Sequence, residues 1–379
     1  MAVPRSLRRN NPATIIVAAI LLIGFFLFFH SSSSGGVDTR SGSGSVTSGN
    51  RQKDAAANPL SPPTKPFKLS SDGKHGPPPI VRYFMNNMTA SSNPIENRER
   101  VLILTPMSKF YPQYWENLNK LTFPHELISL GFILPKTREG NAATTALQAA
   151  VKQTQTGPVD QRFASVSILR QDFAPAIASQ SEAERHKLEV QKERRKAMAQ
   201  ARNSLLFTTL GPSTSWVLWL DADIIETPPT LIQDLTKHDK PVLVPNCFQR
   251  YINPETKKPD TRPYDYNSWV DSDAALRLAS EMGPDDILLE GYAEMPTYRT
   301  LMAHMADRSE NADKHEVMKL DGLGGTALLV KADVHRDGAM FPPFPFYHLV
   351  ETEGFAKMAR RLGWDCWGLP NYFVSIQLQ

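Results

Sequence analysis

The chain has 379 residues, enough for one large domain or two ordinary ones. Its 42 basic and 39 acidic side chains leave a formal charge of +3 spread over both signs, so a nucleic-acid partner is not expected.

In chain order, residues 1–12 carry Arg5, Arg8 and Arg9 and are expected to form a cytosolic tail. Residues 13–29 hold no charge and as a helix would span roughly 26 Å, enough for a thin membrane. The arginines before this run and the Ser/Gly residues after it predict a type II transmembrane anchor with the bulk of the chain lumenal. A cleaved signal peptide, with the small residues 31–36 following it, is the alternative. Residues 30–97 are Ser/Gly-rich, then Pro-rich with GPPP at 76–79, and read as a disordered, flexible lumenal stem. Asn87-Met88-Thr89 within it is a glycosylation sequon. Cys247 and Cys366 are the only cysteines, and either one disulfide or two buried thiols would suit them.

From residue 98 to 379 the pattern is that of a folded unit. RVLILTP (100–106), ISLGFIL (128–134) and ASVSILR (164–170) are short apolar strands. Helical character appears at 114–121 and 142–155, and a long charged helix is expected over 181–207. SWVLWLDADII (215–225) follows as a fourth strand. Later come a strand at 241–248, a helix at 272–282, a strand at 325–332 and a helix at 353–363. Strands alternating with helices predict an α/β domain built on a mainly parallel sheet. Ligands of such sheets sit beyond the carboxyl ends of the strands, which is where Asp221 and Asp223 fall.

A D-x-D pair is a weak motif, and Asp271 and Asp273 form a second one that is expected to cap the helix it precedes. Asp221 and Asp223 follow a core strand instead, where alternation would turn both carboxylates to one site. Two like charges that close need a cation, and oxygen donors select a hard ion such as Mg2+ or Mn2+. An EF-hand is excluded because Ile stands at position 225 and the required glycine is missing. In ERRKAMAQARN (193–203), Arg195 and Arg202 share a helical stripe, with Arg194 farther round, and two guanidiniums on one face would hold a diphosphate. Glu184, Glu189 and Glu193 leave a solvated, salt-bridged face as the other reading.

These residues resemble the fungal Golgi mannan polymerase subunits, type II mannosyltransferases with a GT-A, Rossmann-like nucleotide-sugar fold. KERRKAMAQARN, SWVLWLDADIIETP, YDYNSWVDSDAA, EGYAEMPTYR, LDGLGGTALLVKA, HLVETEGFAKMARRLG and LPNY carry the resemblance across most of residues 100–372. It implies a Golgi-membrane α-1,6-mannosyltransferase that uses GDP-mannose and Mn2+ (or Mg2+). It also implies an N-glycan outer-chain acceptor, retention of configuration, and assembly with other polymerase subunits.

On that footing Asp223 binds the metal directly, and Asp221 reaches the metal, its water or the ribose of the nucleotide. Arg194, Arg195 and Arg202 are the diphosphate candidates, with Asn203 completing their motif or ending the helix. Asp265, Glu290 and Asp321 are the carboxylates that would face the sugar, each of them equally suited to a turn or cap. Gly324 and Gly325 mark a close backbone approach or a strand entry. His348 is a candidate metal ligand, or a hydrogen-bonded core residue. The family continues past LPNY to a histidine, whereas this chain reads FVSIQLQ, so a non-catalytic scaffold subunit with an incomplete metal site is the alternative. Physics alone also admits a transferase of another nucleotide sugar.

Overall fold

The computed structural model describes residues 80–173 and 188–376, all within the unit Thr64–Gln379. The first half runs β1 (Arg100–Pro106), α1 (Pro112–Asn119), β2 (Ile128–Leu134), α2 (Arg138–Thr156), β3 (Ser165–Arg170), α3 (Leu188–Thr209) and β4 (Thr214–Leu220). β1 and β2 coincide with the apolar runs read from the sequence. α2 begins four residues before its first expected position because Thr137 caps it, accepting the Gly140 N–H at 3.1 Å.

The second half runs β5 (Ile224–Glu226), α4 (Leu231–Thr236), β6 (Val242–Ile252), β7 (Pro259–Pro263), β8 (Trp269–Val270), α5 (Asp273–Glu281), β9 (Thr300–Leu301), β10 (Met318–Leu320), β11 (Ala327–Lys331), α6 (Ala332–Arg336), α7 (Glu351–Arg361) and β12 (Cys366–Ile376). The main sheet has the order β3-β2-β1-β4-β11-β6-β12-β10, with β5 on β12 and β7 on β6. The class is α/β, as expected, and β1 to β4 pair in parallel. β11, however, enters antiparallel between β4 and β6, so the sheet is mixed rather than mainly parallel. An apolar run shows that a strand is buried but not which way it points.

β4 is buried along its whole length, and its alternate residues feed two cores. Trp216, Leu218 and Leu220 pack with α1, α2 and α4 through Tyr114, Leu118, Leu147 and Leu231. Val217 and Trp219 pack on the opposite face with α3, α6 and α7 through Leu205, Val334 and Phe355. The sheet is thus covered on both sides, and charged residues follow directly at the carboxyl end of β4.

Packing begins ahead of residue 98. Ala90 is buried, and the Glu99 carboxylate accepts from Ser91 N at 3.1 Å and Trp216 Nε1 at 2.9 Å. Both cysteines are free and buried. Cys366 stands opposite Val242 and Cys247 opposite Val374, so the two sulfurs lie at different levels of one strand pair, about 16 Å apart at 3.3 Å per residue. That distance excludes the disulfide.

The expected localisation requires correction. Among the described residues no helix is long and apolar enough to cross a membrane. Residues 13–29, on which the single-pass Golgi anchor was placed, lie outside the described residues, as do residues 181–187 at the start of the expected long helix.

Candidate active site at the end of strand β4

β4 hands Asp221 to the site at the sheet's edge of solvent. The Asp221 N–H donates to Thr326 O at 2.9 Å, and Ile224 N returns to Asp221 O at 3.1 Å. That second bond closes a turn over Asp221–Ile224. Asp221 and Asp223 therefore share a tight turn, and the strand alternation expected to align them does not apply. Both are half-buried.

Arg202, on α3, is 2% exposed, and its guanidinium is spread across this turn. Nη2 donates to Asp221 Oδ1 at 3.0 Å and Nε to Glu351 Oε1 at 3.1 Å. The Trp219 ring (5.4 Å) and the Phe341 ring (5.5 Å) both pack against the guanidinium. Burial alone would lower its pKa, but Asp221 and Glu351 outweigh that and raise it, so the cation is permanent. Nη1 is buried and makes no hydrogen bond. A charged donor in that state costs about 1–3 kcal/mol or more, which an anion placed against it would recover.

Burial pushes the Asp221 carboxyl up to about 7, with Asp223 and Glu351 pushing the same way against Arg202. Asp265 is also raised, first by burial, with the Asn267 N–H, Arg195 and Arg202 opposing. Asp223 and Glu351 thus act on Asp221, and Glu351 on Asp265, around the Arg202 cation. Asp221 and Asp223 are hard oxygen donors, the set that fits a Mg2+ or Mn2+ ion held by one or two carboxylates plus phosphate oxygens. Among the described residues no group of three His, Cys, Asp or Glu side chains is arranged as a metal site by itself.

The other expected residues divide. Arg195 is buried and already engaged, with Glu353 Oε2 at 3.0 Å and Asn267 Oδ1 at 3.1 Å, so the helical stripe that aligns it with Arg202 does not make a two-arginine clamp. Arg194 is half-buried and acts electrostatically on the Tyr292 phenol. Asn203 neither ends the helix nor faces the carboxylates. Its amide holds the Phe341 backbone, giving to O at 2.6 Å and accepting from N at 2.9 Å, and so fixes one of the rings over Arg202.

Asp265 joins the site. It is 8% exposed, and a Cβ on Gly324 would fall 1.6 Å from its Oδ2. Glu290 is instead paired with Arg299 Nη1 at 3.3 Å and with the Thr297 hydroxyl. Asp321 pairs with Arg360 and accepts from Asp271 N at 2.8 Å. The His348 ring donates to Asp286 O at 3.2 Å, in the loop that precedes Glu290. In the second D-x-D pair, Asp271 binds Arg299 at 3.0 Å, and the cap itself is Ser272, which accepts from Ala275 N.

Glu351 and Glu353 escape sequence reasoning. Two acids in the first turn of an amphipathic helix look like ordinary complements to the helix dipole. Their arginine partners lie about 150 residues earlier, in a segment that gives no local sign of the pairing. Glu353 is 0% exposed, and burial raises its pKa against the pull of Arg195 and Arg299. It also accepts from Trp269 Nε1 at 3.3 Å, while Arg299 lies 3.5 Å over the Trp269 ring.

The Anp1 family profile matches residues 79–345. The chain is 59% identical over 297 residues to the mannan polymerase complex subunit MNN9 of Candida albicans, spanning 78% of this chain and 79% of that one. It is 59% identical over 292 residues to mannan polymerase complex subunit mnn9 of Schizosaccharomyces pombe, spanning 77% and 84%. Among solved structures it resembles a mannosyltransferase of Pyrobaculum calidifontis in complex with GDP-Man and Mn2+. That likeness has 12% identity and a TM-score of 0.38 over 73% of this chain and 56% of that one, too loose to bear on the site.

Proposed function

This chain belongs to the Anp1 family, and from that premise we propose that it is a mannosyltransferase of the GT-A kind working within a mannan polymerase complex. It takes mannose from GDP-mannose and adds it in α-1,6 linkage to an N-glycan outer chain. The observation that carries the reading is Arg202, a buried guanidinium leaning on Asp221 with one donor, Nη1, left without a partner.

Breaking the bond between sugar and phosphate builds negative charge on the departing GDP. Arg202 Nη1 donates to that diphosphate, held in aim by its other partners, and stabilises the charge most as it grows. Asp221 and Asp223 hold the divalent ion, Mn2+ or Mg2+, which when bound neutralises the diphosphate as a Lewis acid. The Asp223 and Glu351 carboxylates beside Asp221 support such an ion, because a cation would relieve the repulsion that helps to raise its pKa.

Asp265 is the carboxylate proposed to face the sugar, since it feels Arg202 and Glu351 whereas Glu290 and Asp321 are ion-paired with Arg299 and Arg360. Its burial, 8% exposed, keeps water from competing there. Glu290 and Asp321 are assigned to holding Arg299 and Arg360 in place. An α donor giving an α product requires retention, which leaves Asp265 either to attack the sugar or to stabilise a front-face departure.

A second reading, a non-catalytic subunit that positions an active partner, is favoured by the lack of a three-ligand metal group among the described residues. Asp223→Ala in the full chain separates the two. Calorimetric titration should show Mn2+-dependent GDP binding in the parent, none with UDP, and a loss in the variant. Mannan extension should fail while the variant still assembles with its partner subunits. Full extension by the variant would overturn the catalytic reading and leave the scaffold.

A further inference from the structure

Glu351 opens α7 with φ +55°, in the left-handed region that costs a non-glycine residue about 1–3 kcal/mol. Tyr347 (φ 54°) and His348 (φ 64°) share that conformation, so the turn entering α7 holds three strained residues within five positions. The turn is tied down by Glu351 N donating to Pro342 O at 3.1 Å and by Leu288 N donating to His348 O at 2.7 Å.

The consequence of this backbone is where the Glu351 side chain goes. A carboxylate at a helix start can remain in water near the dipole, yet this one is turned inward, 11% exposed, onto Arg202 Nε. With Nε held by Glu351, Nη2 by Asp221, and the Trp219 and Phe341 rings packed against it, the guanidinium is fixed in orientation. Gly325 completes the seat, since a Cβ there would come within 3.0 Å of Nη2 and 2.5 Å of Thr352 Cγ2.

We propose that Glu351 is a positioning residue: its strained backbone delivers a carboxylate that aims Arg202 Nη1 at the diphosphate of a nucleoside-diphosphate ligand. The inference rests on the nucleotide reading of the site given above. It differs from a plain structural ion pair in one respect: removing the carboxylate while relieving the strain should harm binding and still leave the chain folded.

The test uses the full chain with Glu351→Gly and Glu351→Gln, reading GDP affinity by calorimetry in the presence of Mn2+ and the thermal midpoint without ligand. Glycine accepts φ +55° freely but supplies no carboxylate. The glycine variant should remain folded, relief of the strain offsetting part of the cost of leaving Arg202 Nε without its acceptor, while GDP affinity falls at least about ten-fold, the scale of a charge-assisted hydrogen bond. Glutamine keeps an acceptor for Nε and should retain most of the affinity.

Unchanged binding in the glycine variant, equal losses in both variants, or a glycine variant that loses binding together with its fold would each overturn the proposal. A parent that fails to bind GDP would remove the nucleotide reading first and this inference with it.

Discussion

His335 lies behind the candidate site rather than in it, and its titration predicts how the fold responds to acid. The ring is 4% exposed. Nδ1–H donates to Ala339 O at 2.8 Å, and Nε2 accepts from Trp219 Nε1 at 3.3 Å. Both nitrogens are therefore satisfied by the neutral ring. Burial pulls its pKa from 6.5 to about 4, with Arg336 assisting and the Ala339 carbonyl opposing.

Unfolded, the imidazole takes a proton near pH 6.5; folded, it does so only near 4. Between these values the unfolded chain binds up to one more proton. The stability the group provides is complete above pH 6.5 and drains away as pH falls toward 4. Two and a half units at 1.36 kcal/mol each amount to about 3 kcal/mol, a large part of a domain's stability. Protonation also removes the acceptor for Trp219, one of the two rings over Arg202, so acid should loosen the arginine's seat before the sheet opens.

Urea unfolding followed by tryptophan fluorescence, at fixed ionic strength and several pH values from 7.5 to 4.5, would measure this in the parent and in His335→Asn. Asparagine can still donate to Ala339 O but does not titrate. Asp221, raised to about 7, has the opposite slope and cancels in the difference between the two curves. The parent should lose about 2.5 kcal/mol more than the variant over that range, the part of the total that falls above pH 4.5. Parallel curves would refute the argument.

Gly324→Ala would put a Cβ 1.6 Å from Asp265 Oδ2 and displace that carboxylate. Mannose transfer should fall by about 100-fold or more while GDP affinity, set by Arg202 and the Asp221 turn, holds; normal transfer would exclude Asp265 from the chemistry. Glu353→Ala leaves Arg195 buried without its carboxylate and should cost about 3–5 kcal/mol in urea unfolding, whereas a cost below about 1 kcal/mol would mean the pair does not hold α3 to α7.

Much of the scaffold is legible along the chain. RVLILTP and ISLGFIL become β1 and β2 at their expected limits, because an uninterrupted apolar run of that length has to be buried on both faces. The pair at Asp221 and Asp223 stood out for the same reason, as charge that ends a buried strand. Helical periodicity reports which side of α3 is buried and not what lies opposite, so it places Arg195 beside Arg202 without revealing Glu353 and Asn267 as its partners. For Asn203 both expected roles were local, whereas its amide is consumed by a backbone 138 residues away.

What the sequence by itself determined is the α/β class, the order of its first strands and the place where carboxylates leave the core. These follow from burial and periodicity, which act over a few residues. The antiparallel entry of β11, the separation of the two cysteines and the choice of Glu351 over Glu353 as the partner of Arg202 were decided only by the tertiary structure. Each depends on contacts between segments that the chain brings together from about 100 to 150 residues apart, where any carboxylate would satisfy an arginine equally and only the packed geometry selects one.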